Sequence, residues 1–400
     1  MHFMISTNIK NIITSKNASA IRKMFEQGKI LKQKYGEDKV FDFSLGNPDL
    51  DPPIEVIKAI KEVATDTSHG AHGYMSNCGY ESTRQAMADK ESICQNVKIP
   101  FDCVIMTTGA AAALNVVFKT LLNEDDEVIV PVPYFVDYKN YVNNYKGKLI
   151  EVNTTSDFSL DINAIKNALS PKTACVLINS PNNPTGRIYS ENEIIELTNV
   201  LKEYEKQYGK TIYLICDEPY KAIVYDNKIV PSVFDKYENS IIVTSFAKNL
   251  SIPGERIGYI CVNPLCKEKD DFINGATFCN RVLGFVNAPA FFQKVVERSY
   301  DAKVDYSPYL KRRNLLTEVL DNAGLKYAKP EGAFYIFCKI PESFGDDDIK
   351  FVEVLEQNLI LCPAGSGFGM KGWFRICYCV SESTIINSKD AFYKAAHTVL

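Results

Sequence analysis

Three charged residues at the ends of apolar runs carry the strongest chemical signal in this chain. Lys248 closes Ser245-Phe246-Ala247-Lys248-Asn249, just after the apolar stretch Ile241-Ile242-Val243. Asp217 ends a second apolar run, Ile212 to Cys216, and opens Asp217-Glu218-Pro219-Tyr220. Arg256 follows in Gly254-Glu255-Arg256-Ile257-Gly258. A single lysine reads as a solvated surface charge. A lysine and an aspartate at neighbouring strand ends, with an arginine just beyond, are different, because each can serve one part of a pyridoxal phosphate. The amine can condense with its aldehyde, the carboxylate can face its ring nitrogen, and the guanidinium can meet its phosphate.

Further residues extend the set. Thr107-Thr108-Gly109-Ala110-Ala111 links a strand to an alanine-rich helix. Small residues at Gly109, Ala110 and Ala111 let the backbone approach an anion, where a helix N-terminus offers free N–H groups. Ser245 can add a hydroxyl, and Arg256 a bidentate contact. Asp217 can keep a pyridine nitrogen protonated, which makes the ring an electron sink. Asn183, in Pro181-Asn182-Asn183-Pro184-Thr185-Gly186, can donate to the ring's phenolic oxygen, as can Tyr220. The same loop is also a plain turn by composition. Phe135 can stack on the ring face or belong to ordinary core. Arg375, inside the apolar run Trp373 to Tyr378, is costly to bury unpaired, so it marks either a substrate carboxylate or a structural ion pair. Gly365-Ser366-Gly367-Phe368-Gly369 superficially resembles a dinucleotide loop but lacks the third glycine spacing and a βαβ context. It reads as a flexible loop before the strand of Arg375.

These residues need a scaffold that gathers strand ends. From about residue 100 the chain alternates strand-like and helical stretches. Strands are expected at Val104–Met106, Glu127–Val130, Ala174–Asn179, Thr211–Asp217, Ile241–Ser245 and Ile257–Val262, with helices at Ala110–Leu122 and around Glu191–Tyr208. That pattern predicts an α/β fold whose mostly parallel sheet is flanked by helices on both faces. Ligands of such sheets lie at the carboxyl ends of the strands, where Gly109, Asn183, Asp217 and Lys248 fall. Before this region, Ile21, Met24, Phe25, Leu31 and Tyr35 form an approximate helical stripe, and Phe41 to Gly46 reads as extended. After about residue 290 come a long helical region, Phe291 to Gly324, and two further strands at Gly332–Phe337 and Trp373–Tyr378. We therefore expect a large cofactor-binding domain over 47–290 and a smaller α+β domain built from 1–46 and 291–400.

The chain's bulk properties narrow the function. At 400 residues it exceeds one ordinary core. A net charge of -4 gives no general reason to bind nucleic acid. No apolar run reaches about 18 residues, so no membrane span is expected. Met1 to Ser15 carries no secretory pattern, and Met4 is an alternative start. Of the 12 cysteines, Cys103, Cys216, Cys261, Cys377 and Cys379 lie in apolar strand-like runs and read as small buried hydrophobes. A reducing cytoplasmic compartment without disulfides is the natural setting. His69 and His72 have ligand-like spacing but no acidic cluster beside them, so no metal site is assigned.

With these residues in place, the chain resembles the class I, fold-type I pyridoxal-phosphate-dependent aminotransferases, from about Phe41 to Val380. The motifs NNPTG (182–186), DEPY (217–220), SFAKN (245–249) and GERIGY (254–259) carry the resemblance, supported by PEGAFYIF (330–337) and WFRI (373–376). It implies Lys248 as the cofactor-linked lysine, Asp217 at the ring nitrogen, and Asn183 and Tyr220 at the phenolic oxygen. It also implies Ser245, Arg256 and the Gly109–Ala111 backbone at the phosphate, with Arg375 binding the substrate α-carboxylate near Gly46. Tyr74 looks like the tyrosine that reaches the phosphate of a neighbouring subunit, which implies a homodimer with shared active sites. Ala110 to Ala113 offers no polar side chain to read a dicarboxylate, so Arg281 is the candidate for that role.

The expected activity is a ping-pong transamination from an L-amino acid, best aspartate, to a 2-oxo acid, best 2-oxoglutarate. A carbon–sulfur β-lyase, or an aromatic or alanine-type aminotransferase, shares the same cofactor motifs. A non-catalytic cofactor-sensing regulator would need a DNA-binding module, for which the residues before Phe41 are too few.

Overall fold

The structure is a computed structural model that describes residues 5–14 and 20–398; both candidate starts, Met1 and Met4, lie outside the described residues. So do the side chains of Ile21, Met24 and Phe25, although the helix expected there is present as Ala20–Tyr35.

The strands, in chain order, are β1 (Phe41–Asp42), β2 (Val104–Thr107), β3 (Glu127–Val132), β4 (Lys148–Asn153), β5 (Thr173–Asn179), β6 (Tyr213–Asp217), β7 (Ser240–Ser245), β8 (Gly258–Val262), β9 (Tyr327–Ala328), β10 (Tyr335–Lys339), β11 (Ile360–Leu361) and β12 (Trp373–Cys377). Seven of them form one sheet in the order β2-β8-β7-β6-β5-β3-β4. The pairs β3·β4, β3·β5, β5·β6 and β6·β7 are parallel. Strands in such a sheet are covered on both faces and therefore read as continuous apolar runs. Period-two alternation splits each between two cores: Tyr259 and Cys261 of β8 pack on one face, Ile260 and Val262 on the other. β8 itself runs antiparallel to β7 and β2, because the chain folds back after β7 through the helical turn Phe246–Asn249 instead of crossing over. That turn carries Lys248.

A second, three-stranded antiparallel sheet has the order β12-β10-β9. The helices Ser307–Asn322, Asp348–Gln357 and Lys389–Ala396 pack on it through a separate apolar cluster containing Leu316, Phe351 and Phe392. Tyr220, Ile223 and Tyr225, which follow β6, join this cluster and tie the two sheets together. β1 pairs in parallel with β11, and the chain just beyond it lies against β12, where the Cys377 N–H donates to the Phe43 carbonyl at 3.0 Å. That seam brings Ser44 beside Arg375 and Gly46 against Tyr335.

Three sequence expectations change. The region Phe291 to Gly324 is two helices, Ala290–Ser299 and Ser307–Asn322, and the second begins where Asp305 accepts from the Ser307 N–H at 2.9 Å and Pro308 occupies its first turn. Gly365–Phe368 is an ordered 3₁₀ turn rather than a flexible loop, because Phe368 is fully buried beneath Arg375. Cys103 lies in the turn before β2 rather than in the strand. No helix among the described residues is long and apolar enough to cross a membrane.

Candidate active site

Lys248 sits in a single helical turn at the end of β7, and its Nζ donates to the Gly46 carbonyl at 2.7 Å. The amine lies 5.3 Å from the Phe334 ring centre. Burial holds its pKa below the ordinary lysine value; the Arg375 and Arg256 charges act in the same direction, against the two thiols of Cys379 and Cys377. A lysine so placed gives up its proton more readily than a surface lysine. Gly46 must be glycine, since a Cβ there would stand 1.9 Å from the Tyr335 hydroxyl. That hydroxyl is 3.0 Å from the hydroxyl of Tyr220.

Asp217 ends β6 beside the ends of β5 and β7. Its Oδ2 accepts from Tyr138, a fully buried residue, at 2.5 Å. Its Oδ1 is buried and has no hydrogen-bond partner among the described residues. Burial pushes the carboxyl up to about 7, against the lowering effect of the Tyr138 hydroxyl and with a smaller push from Glu218. A carboxylate oxygen in that state is built to meet a cationic donor. Asn179, at the end of β5, donates to the Asp217 carbonyl at 2.8 Å and accepts from the Asn183 N–H at 2.7 Å. It thereby locks the Asn182–Gly186 turn to β6. Neither Tyr138 nor Asn179 stood out in the sequence. The only signal for Asn179 is a polar residue closing an apolar strand, and Tyr138 has none before the helix Tyr138–Asn143 is packed against the sheet.

The anion-binding end lies across the same sheet edge. Ser245 of β7 pairs with Gly258 of β8, which pairs with Thr107 of β2. Gly109, at φ 96°, caps the helix Ala110–Leu121, and a Cβ on it would stand 2.9 Å from Arg256 Nη2. Arg256 takes up the left-handed conformation at φ 51°, uncommon outside glycine and asparagine, while its Nη1 donates to Pro253 O at 3.0 Å. A helix N-terminus, a glycine cradle and a guanidinium thus converge. Phe135 stands edge-on to Tyr138 with ring centres 5.6 Å apart, beside Asp217.

Arg375 in β12 is 4% exposed, so every donor it carries must be accounted for. Nη2 donates to Ser44 O at 2.6 Å and Nη1 to Asn183 Oδ1 at 3.2 Å. The guanidinium lies between the Tyr335 ring at 4.6 Å and the Phe368 ring at 4.9 Å. No carboxylate of the described residues bridges it, and its buried Nε has no partner among them. The expected alternative, a structural ion pair, is therefore not what holds it.

The structure gathers Lys248, Asp217, Asn183, Tyr220, Arg375 and Gly46 through these contacts, and Gly109, Ala110, Ala111, Ser245 and Arg256 at the adjoining strand ends. It does not bring Tyr74 or Arg281 into this network. Tyr74 is 94% exposed, and Arg281 is exposed on the helix Lys269–Val282, over the ring of Phe278. Both lie on one face, where Asn280 donates to Asn77 O and Asn77 to Val286 O.

The residues present fit a pyridoxal phosphate. The unpartnered Asp217 Oδ1 matches a protonated ring nitrogen, and the Gly109 cradle with Arg256 matches a phosphate. Comparison with known proteins agrees. The profile of the family described as aminotransferase class I and II matches residues 38–389. A solved amino transferase from Eubacterium rectale superposes with a TM-score of 0.94 at 38% identity, covering 98% of each chain. A probable aspartate aminotransferase of Methanocaldococcus jannaschii is 30% identical over 96% of this chain and 97% of its own. An aromatic-amino-acid aminotransferase of Thermococcus litoralis is 29% identical over 94% of this chain and 95% of its own.

Proposed function

The chain belongs to the class I and II aminotransferases, which depend on pyridoxal phosphate, and from that premise we propose that it transfers the amino group of L-aspartate to 2-oxoglutarate in a ping-pong reaction. The observation that carries this reading is the pairing of two unsatisfied buried atoms, Asp217 Oδ1 and Arg375 Nε, within the group held around Lys248. One is suited to a cationic ring nitrogen, the other to an amino acid's carboxylate.

When bound, the cofactor supplies an electron sink for the bond broken at the substrate's Cα. The residues do the rest. Arg256, Ser245 and the N–H groups of Gly109, Ala110 and Ala111 hold the phosphate. Asp217 keeps a proton at the ring nitrogen, and Tyr138 and Asn179 fix its carboxylate and backbone. Asn183 has its Oδ1 engaged by Arg375, which leaves its amide end to donate, with the Tyr220 hydroxyl, to the phenolic oxygen. Phe135 would cover the ring face. Arg375 orients the α-carboxylate near Gly46, and Lys248, with its depressed proton affinity, takes the proton from the substrate's Cα and returns it.

We propose further that the chain works as a cytoplasmic homodimer. Tyr74 and Arg281, exposed with Phe278 and Val282 on one face, would then reach the neighbour's site, Tyr74 at the phosphate and Arg281 at a dicarboxylate side chain. The separate apolar cluster over the small sheet supports a division into 47–290 and 1–46 with 291–400.

The relatives' names divide between aspartate and aromatic donors, so a donor screen against 2-oxoglutarate is the deciding experiment. Aspartate and glutamate are expected to be fastest; rapid aromatic donors with poor aspartate would move the assignment to the aromatic class. Lys248→Ala should lose at least about 10²–10⁴-fold in turnover with any donor, the contribution of positioned proton transfer. Retention of full turnover by that variant would end the transaminase reading of this site.

A further inference from the structure

Cys377 and Cys379 are buried in the apolar cluster over the small sheet, as the sequence suggested, at 0% and 9% exposure, but charged groups also bear on them. Cys377 ends β12 two residues after Arg375, so period two puts both on one face of the strand. The Cys379 N–H donates to Cys377 Sγ at 3.4 Å. Arg375 and Lys248 both bear electrostatically on Cys377. From the other side, Cys379 meets the Tyr309 hydroxyl, with Asp49 nearby. A cysteine pair joined by a backbone N–H to sulfur bond, on the strand face that carries Arg375, is unlike the other cysteines. Cys338 and Cys362 also neighbour each other, yet burial pushes both thiols well up, with no hydrogen bond between them.

We propose that Cys377 and Cys379 form an oxidisable dithiol, a modification site at which hydrogen peroxide converts the pair to an intramolecular disulfide and thereby suppresses amino-acid binding. The thiolate is the attacking form, and positive neighbours favour it. Contact with the Cys379 thiol, Arg375 and Lys248 outweighs burial at Cys377 and lowers its proton affinity. Cys377 sulfur attacks one peroxide oxygen; the O–O bond breaks, and the departing hydroxide takes a proton to become water. The sulfenic acid left on Cys377 is then attacked by the Cys379 sulfur; the S–O bond breaks, the S–S bond forms, and a second water leaves. Two thiols are oxidised and one peroxide is reduced. Lys248 is only partly buried, so the opening that admits an amino acid to it also admits peroxide.

The disulfide acts through the strand. The Cys377 N–H holds the Phe43 carbonyl, and the next carbonyl, of Ser44, holds Arg375 Nη2. Drawing Cys379 onto Cys377 shifts this seam and moves the guanidinium off its position. A misplacement of about 1 Å there costs up to about a hundredfold in kcat/KM.

The test treats the holoenzyme with graded hydrogen peroxide, alkylates the remaining thiols, and reads intact mass, a peptide map and activity. The expected result is a loss of about 2 Da confined to the peptide with Cys377 and Cys379, a matching fall in kcat/KM, and recovery of both with dithiothreitol. Cys377→Ser and Cys379→Ser, each compared with its own untreated sample, should lose the dithiothreitol-reversible inactivation, whereas Cys94→Ser should keep it. Both thiols remaining alkylatable after inactivation would overturn the proposal. So would a disulfide that leaves kcat/KM unchanged, or oxidation that maps first to Cys94 or to Cys338 and Cys362. The mass readout needs no substrate, so its outcome does not depend on which amino acid the enzyme prefers.

Discussion

Arg375 and Arg281 are both candidates for a substrate carboxylate, yet their settings differ in every respect that fixes a side chain. Arg375 is 4% exposed, held through both Nη groups and flanked by two aromatic rings. Arg281 is exposed and lies 5.5 Å over Phe278, one turn earlier on its own helix. The first is pre-organised by the fold of one chain. On the proposed dimer reading, the second is left for a neighbour to organise. On the proposed reading, one chain completes everything that handles what all amino acids share: the amine, the Cα proton and the α-carboxylate. What reads the side chain lies on the face meant for a second copy. The two regions should therefore respond differently to mutation, pH and donor identity.

The largest difference should come from Arg375 itself. Arg375→Ala removes a buried charge-assisted contact worth about 2–5 kcal/mol, which is roughly thirtyfold to a few thousandfold in kcat/KM. The loss should be nearly the same for aspartate, alanine and aromatic donors. Steady-state kinetics check this, with thermal unfolding as a control for the two lost ring contacts. A loss confined to dicarboxylate donors would reverse the roles assigned to the two arginines.

Asp217 extends the contrast to pH. In cofactor-free protein its folded pKa, about 7, lies above the unfolded value near 4. Between those values the folded state holds one more proton than the unfolded state, so unfolding free energy falls as pH rises through the window. The contribution present below pH 4 is lost by the time pH passes about 7, at most on the order of 4 kcal/mol. Denaturant titrations of cofactor-free wild type should show that decline relative to Asp217→Asn, and substitution of Arg281 should leave it untouched. Parallel curves for wild type and Asp217→Asn from pH 4 to pH 7 would mean that the carboxyl is not desolvated as described.

Tyr138 should show the same signature at smaller amplitude. Its hydroxyl lowers the pKa of Asp217, so Tyr138→Phe raises it further and moves the pH dependence of cofactor binding to higher pH. Loss of a hydrogen bond to a charged group costs about 1.5–3 kcal/mol, or roughly tenfold to a hundredfold in cofactor affinity. Cofactor absorbance titrations from pH 5 to pH 9 would measure both. An unshifted profile would reduce Tyr138 to a packing residue.

These residues also mark where the sequence was legible. Lys248, Asp217, Asn183 and Arg256 were readable because strands covered on both faces are written as apolar runs, which makes a charged or turn-forming residue at their ends conspicuous. Arg375 was readable for a related reason, as a charge inside such a run. Tyr138 was not, because its partner Asp217 is distant in sequence and only the packing of Tyr138–Asn143 against the sheet joins them. Asn179 ended a recognised strand, but its role depends on the neighbour β6, and strand order is not written in local pattern. The direction of β8 was not legible either: its composition matches that of its parallel neighbours, and only the fold-back at Phe246–Asn249 makes it antiparallel. Cys377 and Cys379 were seen as apolar because their period fits a strand. Part of the charge bearing on Cys377 comes from Arg375 on the same strand, and part from Lys248, in the turn after β7, which only the fold brings near.

The smallest expected effect tests the exposed side of the comparison most directly. Arg281→Ala removes a contact made by a solvent-exposed arginine, so the loss in kcat/KM for aspartate should be about fivefold, near the upper limit for an exposed pair. Alanine as donor should be unaffected, because it offers no second carboxylate. If Arg281 acts across an interface, mixing subunits should separate it from Lys248. A hybrid of one Arg281→Ala chain and one Lys248→Ala chain contains one site with an intact Lys248 from the first chain and an intact Arg281 from the second. That site should regain the aspartate kcat/KM of wild type, counted per intact site. An Arg281 that acted within its own chain would leave the hybrid as impaired as Arg281→Ala alone. Arg375→Ala in the same experiment should give the opposite pattern: it disables the site of its own chain, so its hybrid with Lys248→Ala should show no recovery.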